Sequence, residues 1–519
     1  MTLSEMLKKT ADKFPEREAV VWKGARLIYA DLLQDASSVA TFLIKEGLMP
    51  GERVALLMEN SPQYTISYFG ILMAGGCVVA LNPNTTVYEL IHPIKECEPR
   101  VIICGAKVLP LLQDCLALLK KPKAIVIDGN LPPEMERTVP GLVSLSQLIE
   151  AADAFDGTMR CQTEDLAQII YTSGTTGKAK GIMLTHRNLV ANTQSIAQYL
   201  GLCETDRVLV ILPFFYSYGN SLLLTHVASG GALVIADQFV FLNSLLSLMK
   251  QERVTGFSGV PASYAMLLRQ SLFPKTHFAA LRYMTCAGGA LPTSHILELQ
   301  SAHPGVDLVV MYGQTEASAR LSYLEPKDLP RKLGSIGKGI PGVTLKVIGE
   351  NGEAIAPGET GEIVARGKCI MRGYWKLPKE TAQVLRDGWL HTGDMATVDE
   401  EAFIFIKGRR SDMIKCGSYR IHPIEIEGAL NAHPIVVESA VIGMEDEMLG
   451  ESIVAFVVLK KEEALSVPDL LQAARKFLPT HKLPKAVRFR NVLPKTASGK
   501  IRREALRKIL ANSTLSQYS

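Results

Sequence analysis

The sequence predicts an α/β protein: a large N-terminal domain of α/β sheet subdomains plus a small β unit, followed by a smaller α+β domain. Three observations lead there. Short apolar or β-branched runs alternate with helical periodicity up to about residue 330, the pattern of largely parallel sheets covered by helices. Beyond that point short strands and glycine-rich turns take over, and the alternation returns in mixed form near the C-terminus. A chain of 519 residues also exceeds what one core holds, so two or more domains are expected.

Taken in order, Met1–Phe14 carries early charges and no sustained apolar run, so it reads as an amphipathic helix and not a signal peptide. Arg53–Met58 is a strand, Gln63–Ala74 a helix and Cys77–Ala80 a strand. The longest apolar stretch, Phe69–Leu81, contains two adjacent glycines and is too short to span a bilayer. Val101–Cys104, Ala124–Ile127, Arg207–Leu212, Ala232–Ile235 and Leu308–Met311 are further strands. Leu189, Thr193, Ile196, Ala197 and Leu200 recur at helical spacing between them. Leu345–Ile348, Gly361–Ala365 and Phe403–Ile406 form the small β unit. Past Gly408, Glu425–Leu430 and Val467–Leu478 read as helices and Ile453–Leu459 as a strand. The polar joint Gly408–Asp412 separates two apolar units, which gives domains at 1–408 and 409–519.

Hydrophobic residues make up 47% and charged residues 21% of the chain, as in ordinary soluble globular proteins. The 56 basic and 52 acidic side chains nearly balance, at net +4, which argues against a dedicated nucleic-acid binder. Basic residues do gather in Lys482–Arg507, where a solvated face and a site are equally open readings. Nine scattered cysteines with no C-x-x-C pair point to free thiols in a reducing cytoplasm, not to a disulfide framework or a zinc site.

The most informative run is Tyr171-Thr172-Ser173-Gly174-Thr175-Thr176-Gly177-Lys178-Ala179-Lys180-Gly181. Glycine lets backbone N–H groups turn toward an anion, the hydroxyls add short donors, and Lys178 and Lys180 add charge. That chemistry suits a polyphosphate. The ordinary P-loop pattern is excluded, because Thr172 stands where it needs glycine and Ala179 where it needs Ser or Thr. Apolar runs flank the loop, Leu166–Tyr171 before and Ile182–Leu184 after, which sets it apart from a linker. Gly337-Lys338-Gly339-Ile340-Pro341-Gly342 satisfies a dinucleotide-binding spacing, but no clear strand precedes it and a strand, not a helix, follows; it reads as a turn.

The run at 171–181 resembles the phosphate-binding loop of the adenylate-forming superfamily: acyl-CoA synthetases, aryl-CoA ligases, peptide-synthetase adenylation domains and luciferases. Met311-Tyr312-Gly313-Gln314-Thr315-Glu316, Gly388-Trp389-Leu390-His391-Thr392-Gly393-Asp394, Gly408-Arg409 and Pro494-Lys495-Thr496-Ala497-Ser498-Gly499-Lys500 match further family motifs in the family's order. The chain is most similar to an AMP-forming acyl-CoA synthetase. The resemblance implies ATP and Mg²⁺, with coenzyme A as acyl acceptor. Thr172 to Lys178, with Thr175 central, would hold the β- and γ-phosphates. Glu316 would bind Mg²⁺, Thr315 would reach the α-phosphate, and Lys500 would bridge carboxylate and α-phosphate. Residue type alone does not distinguish Lys500 from Lys495 or Lys485.

Tyr312, beside Gly313, offers a flat face for adenine, with Ala287, Gly288, Gly289 and Ala290 as the opposing wall. Asp394 and Arg409 would hold the ribose, and Gly417 would line the pantetheine channel. Ser411 stands at the hinge of a mobile C-terminal domain, where the family usually has Asp or Lys. Tyr216 stands where it usually has histidine. Phe214, Tyr216, Tyr218, Ser258, Tyr264 and Ser318 are the acid-pocket candidates. They include no obvious cation, so a monocarboxylic, largely apolar acid is expected.

The function implied is an acid–thiol ligase that forms acyl-AMP and passes the acyl group to coenzyme A. The alternative acceptor is a carrier-protein phosphopantetheine. The rival of another class is a non-catalytic adenylate-binding protein, against which the intact Thr175, Glu316, Asp394 and Lys500 argue. A monomer or homodimer without a transmembrane segment is expected.

Overall fold

Strands such as Val101–Gly105 and Ala124–Asp128 are apolar on both faces and buried along nearly their whole length, which is the signature of a parallel sheet covered on both sides. They belong to an eight-stranded sheet. Its parallel strands include Arg53–Leu57 and Cys77–Ala80, and Leu166–Ser173 runs parallel to the latter. Ala179–Thr185 then returns antiparallel. A second sheet has nine strands, with Arg207–Val210, Ala232–Ile235, Gly256–Gly259, Tyr283–Cys286 and Asp307–Tyr312 parallel at its centre. The computed structural model describes residues 1–116, 122–129, 141–151, 160–173, 179–236, 241–416, 419–446, 448–460, 463–496 and 500–515.

One core is shared by both large sheets. It takes Leu3 and Leu7 from helix Leu3–Lys13, Tyr29 and Leu32 from Tyr29–Lys45, Phe69 from Pro62–Met73 and Leu223 from Ser217–Ser229. The expected N-terminal amphipathic helix is present, and a reciprocal capping box between Thr2 and Glu5 starts it. The stretch Phe69–Leu81 divides between the end of Pro62–Met73 and the strand Cys77–Ala80. Among the described residues no helix is long and apolar enough to cross a membrane.

The small β unit is a five-stranded antiparallel sheet of Val343–Ile348, Thr360–Gly367, Leu385–Arg386, Trp389–Val398 and Ile404–Arg409. Burial alternates along Trp389–Val398, so Leu390, Thr392, Asp394 and Ala396 share the inward face. A strand period thus aims a carboxylate inward. Ile404–Arg409 continues through Gly408, so the irregular joint begins at the turn Arg410–Asp412. Beyond it, Ile414–Cys416, Tyr419–Ile421, Val436–Asp446, Gly450–Leu459 and Ala486–Phe489 form a fourth sheet. Helices Pro423–Asn431, Val467–Ala474 and Arg503–Leu515 accompany it. The helix expected over Val467–Leu478 stops at Ala474; the N–H groups of Phe477 and Leu478 both turn back to the Ala474 carbonyl, ahead of Pro479. Ala265, on helix Pro261–Gln270, packs into the C-terminal core beside Ala440 and Phe456.

The turn after strand Asp307–Tyr312 positions the site. The chain doubles back through Ser318 (φ 59°) and Ala319 (φ 126°) before pairing as Ser322–Leu324. The Ala319 carbonyl lies so close to Gly313 that a Cβ there would meet it at 2.0 Å. Gly313→Ala is therefore expected to destabilise the protein by roughly 2–3 kcal/mol, read as a lowered Tm. Gly428→Ala, in helix Pro423–Asn431 with no atom within 4 Å of the added methyl, should be neutral or stabilising by up to about 1 kcal/mol. Equal effects of the two substitutions would contradict this packing.

Candidate active site

Three elements converge on one buried carboxylate. Strand register sets Asp394 opposite Arg409, and the Arg409 Nε lies 3.0 Å from Asp394 Oδ1. Tyr312, at the end of its strand, donates its hydroxyl to Asp394 Oδ2 at 2.7 Å. Asp394 is only 6% exposed, so these charge-assisted bonds replace lost water. Burial and the neighbouring Asp394 charge push the Tyr312 hydroxyl well above the usual phenol value, so it stays a donor. The negative charge of Asp394 raises the Arg409 guanidinium further, against the pull of burial. Arg409 remains half-exposed, which leaves its outer face open to a ligand.

Beside this cluster, Thr315 and Glu316 sit in the short turn after Gln314. Ser217, the first residue of helix Ser217–Ser229, places its Oγ 3.1 Å from Thr315 Oγ1. Tyr374 donates to Glu316 Oε1 at 3.0 Å, and the Lys180 ammonium stands 5.1 Å from the Tyr374 ring centre. Burial, with the charge of Glu316, keeps the Tyr374 hydroxyl protonated. Glu316 is half-buried, and Oε2 takes no hydrogen bond from the described residues. A hard oxygen donor of this kind suits Mg²⁺. Among the described residues there is no cluster of three or more metal-ligating side chains, so a cation here would rest on this one carboxylate and on its substrate.

Lys500 comes to the same place from the C-terminal domain. Two hydrogen bonds tie its backbone to Thr496: Lys500 N–H donates to Thr496 Oγ1 at 3.1 Å, and Thr496 N–H to the Lys500 carbonyl at 2.7 Å. Its side chain is exposed to solvent. Lost hydration, then the Arg409 charge, pull its ammonium below the ordinary lysine value, while Glu316 and Asp394 pull the other way. The two rival lysines are engaged elsewhere: Lys485 with Asp446 at 2.8 Å and Lys495 with Glu438 at 2.7 Å. Among the described residues Lys500 makes no such ion pair, so the structure separates three lysines that the sequence left equivalent.

Thr172 and Ser173 end the strand that leads into the glycine-rich loop, paired with Lys180 and Ala179. Gly174, Thr175, Thr176, Gly177 and Lys178 lie outside the described residues, as does Gly417. Gly288, Gly289 and Ala290 are exposed just beyond strand Tyr283–Cys286, Gly288 with a left-handed φ of 87° that favours glycine. Ser411 falls in the turn Arg410–Asp412, and its side chain is outside the description.

Of the acid-pocket candidates, Tyr216 is half-buried at the mouth of helix Ser217–Ser229, and burial raises its hydroxyl. Ser258 and Ser318 are buried with engaged hydroxyls: Ser258 accepts from Thr285 at 2.8 Å, and Ser318 donates to the Cys369 carbonyl at 2.8 Å. Tyr218 and Tyr264 both donate to the Thr285 carbonyl, at 3.1 and 2.9 Å. Sequence reading missed Tyr374, far from Glu316 along the chain, and Arg320. No local pattern marks Tyr374. Arg320 lies within reach of the Tyr312–Glu316 motif, but its burial is a tertiary fact.

A site that joins a buried carboxylate with arginine and tyrosine to a turn glutamate and a lysine from a second domain can be set against known proteins. The family model described as AMP-binding enzyme matches residues 7–375, and that described as AMP-binding enzyme C-terminal domain matches residues 425–500. A long-chain-fatty-acid–CoA ligase of Bacillus subtilis (strain 168) is 35% identical, over 97% of this chain and 94% of its own length. An indoleacetate–CoA ligase of Aromatoleum aromaticum is 32% identical, over 98% of this chain and 97% of its own. The crystal structure of the anthranilate CoA ligase AuaEII with anthranoyl-AMP superposes with a TM-score of 0.90 at 27% identity, covering 99% of this chain and 98% of that one. Tyr312, Thr315 and Glu316 fall within the first matched segment and Lys500 at the end of the second, with Asp394 and Arg409 between the two, and the chain belongs to the AMP-binding enzyme family, the adenylate-forming enzymes.

Proposed function

We propose that this chain is an ATP-dependent, AMP-forming acid–CoA ligase, with residues 1–408 binding ATP and acid and residues 409–519 acting as a mobile catalytic lid. The observation that carries the reading is one site in which Asp394 meets Tyr312 and Arg409 and Glu316 meets Tyr374, with Lys500 of the C-terminal unit within the field of Glu316 and Asp394. In the first step a carboxylate oxygen attacks the α-phosphorus of ATP, the bond to the β-phosphate oxygen breaks, and pyrophosphate leaves. Both reactants are anionic, so the site must supply positive charge where charge develops. Lys500 is a mobile point charge suited to bridging carboxylate and α-phosphate. Thr315 offers a hydroxyl at the same place, and Thr172 to Lys178 would hold the departing phosphates. Mg²⁺ bound through Glu316 would neutralise phosphate charge.

Asp394 and Arg409 would take the ribose hydroxyls, with Tyr312 and the Gly288–Ala290 segment about the base. In the second step the coenzyme A thiol attacks the acyl carbon of acyl-AMP, the thioester forms and AMP leaves. Gly417 lines the thiol channel in this reading, and a rotation at Ser411 exchanges Lys500 for that channel. Coenzyme A is favoured over a carrier protein because relatives matched over nearly their whole length are named CoA ligases. The free state of all nine cysteines supports the reducing cytoplasm.

Given ATP, Mg²⁺, coenzyme A and an accepted acid, the enzyme should release AMP and pyrophosphate in equal amounts. ADP as the stoichiometric product would refute the reading. Lys500→Ala should slow acyl-AMP formation by about a thousandfold. It should leave thioester formation from supplied acyl-AMP within a few-fold, since no phosphorus is then attacked. Equal loss of both half-reactions would make Lys500 structural.

A further inference from the structure

Arg320 is a buried cation that the site as described leaves without a task. It is only 3% exposed, and among the described residues no carboxylate pairs with it. Its guanidinium lies 3.8 Å from the centre of the Tyr218 ring. Nε donates to Met311 Sδ at 3.4 Å and Nη1 to the Ala319 carbonyl at 3.3 Å, a soft acceptor and a long bond. A guanidinium has five N–H donors, and these bonds use two. The nearby Tyr199 hydroxyl gives its own proton to Met311 Sδ at 2.9 Å. A buried arginine with no carboxylate beside it among the described residues is unfavourable, so an added oxygen acceptor would stabilise it.

The backbone around Arg320 is held firmly. Asn192 Nδ2 donates to the Arg320 carbonyl at 2.8 Å, and Arg320 N–H donates to Asn192 Oδ1 at 3.3 Å. The preceding carbonyl, of Ala319, packs on Gly313. Tyr218, whose face Arg320 covers, follows Ser217, whose hydroxyl meets Thr315. Arg320 therefore packs on Tyr218, one of the aromatic residues expected to receive the acid, next in sequence to the Ser217 that meets Thr315. Burial pushes the Tyr218 hydroxyl up to about 12, with Arg320 opposing, so the tyrosine is neutral and its ring faces the cation.

We propose that Arg320 is a specificity-determining residue that binds an oxygen acceptor on the acyl portion of the acid, remote from the reacting carboxylate. The enzyme then selects acids bearing a second carboxylate, keto or hydroxyl oxygen over the matching hydrocarbon acids. This rests on the ligase reading above. It replaces the expectation of a largely apolar acid, which assumed a pocket without a cation.

The test measures pyrophosphate release by the full-length enzyme with matched acids spanning short to long aliphatic and aromatic members: adipate against hexanoate, levulinate against valerate, salicylate against benzoate, and longer homologues. Wild type should favour the oxygen-bearing member by at least about tenfold in kcat/KM. Arg320→Met keeps length and removes the donors. It should lower kcat/KM for that member by about 10- to 100-fold and leave the hydrocarbon member unchanged or improved, with Arg320→Lys between. The wild-type preference stands as evidence even if Arg320→Met fails to fold. Equal use of both members by wild type, or an equal loss on both in Arg320→Met, would overturn the proposal and leave the ligase reading intact. No pyrophosphate with any acid would overturn the ligase reading, and the proposal with it.

Discussion

One buried carboxylate holds the site together. Asp394 receives the Tyr312 hydroxyl from the nine-stranded sheet and the Arg409 guanidinium from the last strand before the domain joint. Without both donors the charge would sit in the interior uncompensated, at a cost of several kcal/mol. Register makes the arrangement possible: alternation along Trp389–Val398 turns Asp394 inward, and pairing with Ile404–Arg409 sets Arg409 across from it. Because Arg409 immediately precedes Arg410–Asp412, the cluster also fixes the point from which the C-terminal domain departs. Lys500 reaches the site only if that departure has one direction. In the present arrangement it does reach it, and Ala265 packed against the C-terminal core supports the same placement.

The chemistry divides along the joint. The larger domain supplies fixed donors whose partners are set by packing: Thr315 beside Ser217, Glu316 beside Tyr374, Asp394 beside Tyr312. The smaller domain supplies one cation on a turn. Fixed dipoles suit groups that stay bound through both steps, and a long mobile cation suits one that must act and withdraw. The clamp between Arg503 and Glu427, at 2.6 Å, with Asp412 at 3.7 Å, ties the last helix to the start of the smaller domain.

Much of this was legible in the chain. Buried parallel strands such as Ala124–Asp128 announce themselves because both faces are apolar, and the small β unit because short strands alternate with glycine-rich turns. The motif residues Tyr312, Glu316, Asp394 and Lys500 were legible through the family resemblance that their motifs carry in order. Helix ends were less legible: Val467–Ala474 stops where carbonyl capping competes with the helix, and side-chain type does not record that. Lys485, Lys495 and Lys500 differ only in their partners, which come from remote strands. Arg320 and Tyr374 were invisible as site residues for the same reason: burial and a partner distant in sequence define them.

The central claim is that a carboxylate oxygen attacks the α-phosphorus within this cluster. The most direct measurement uses an accepted acid whose carboxylate carries heavy oxygen, with ATP, Mg²⁺ and coenzyme A, followed by mass analysis of the nucleotide product. If acyl-AMP forms and the thiol then displaces AMP, one labelled oxygen stays on the phosphate of AMP, and the pyrophosphate carries none. Unlabelled AMP, or label in inorganic phosphate, would mean that the acid is activated by another route, and the account of Lys500, Glu316 and Asp394 as one adenylating site would fall.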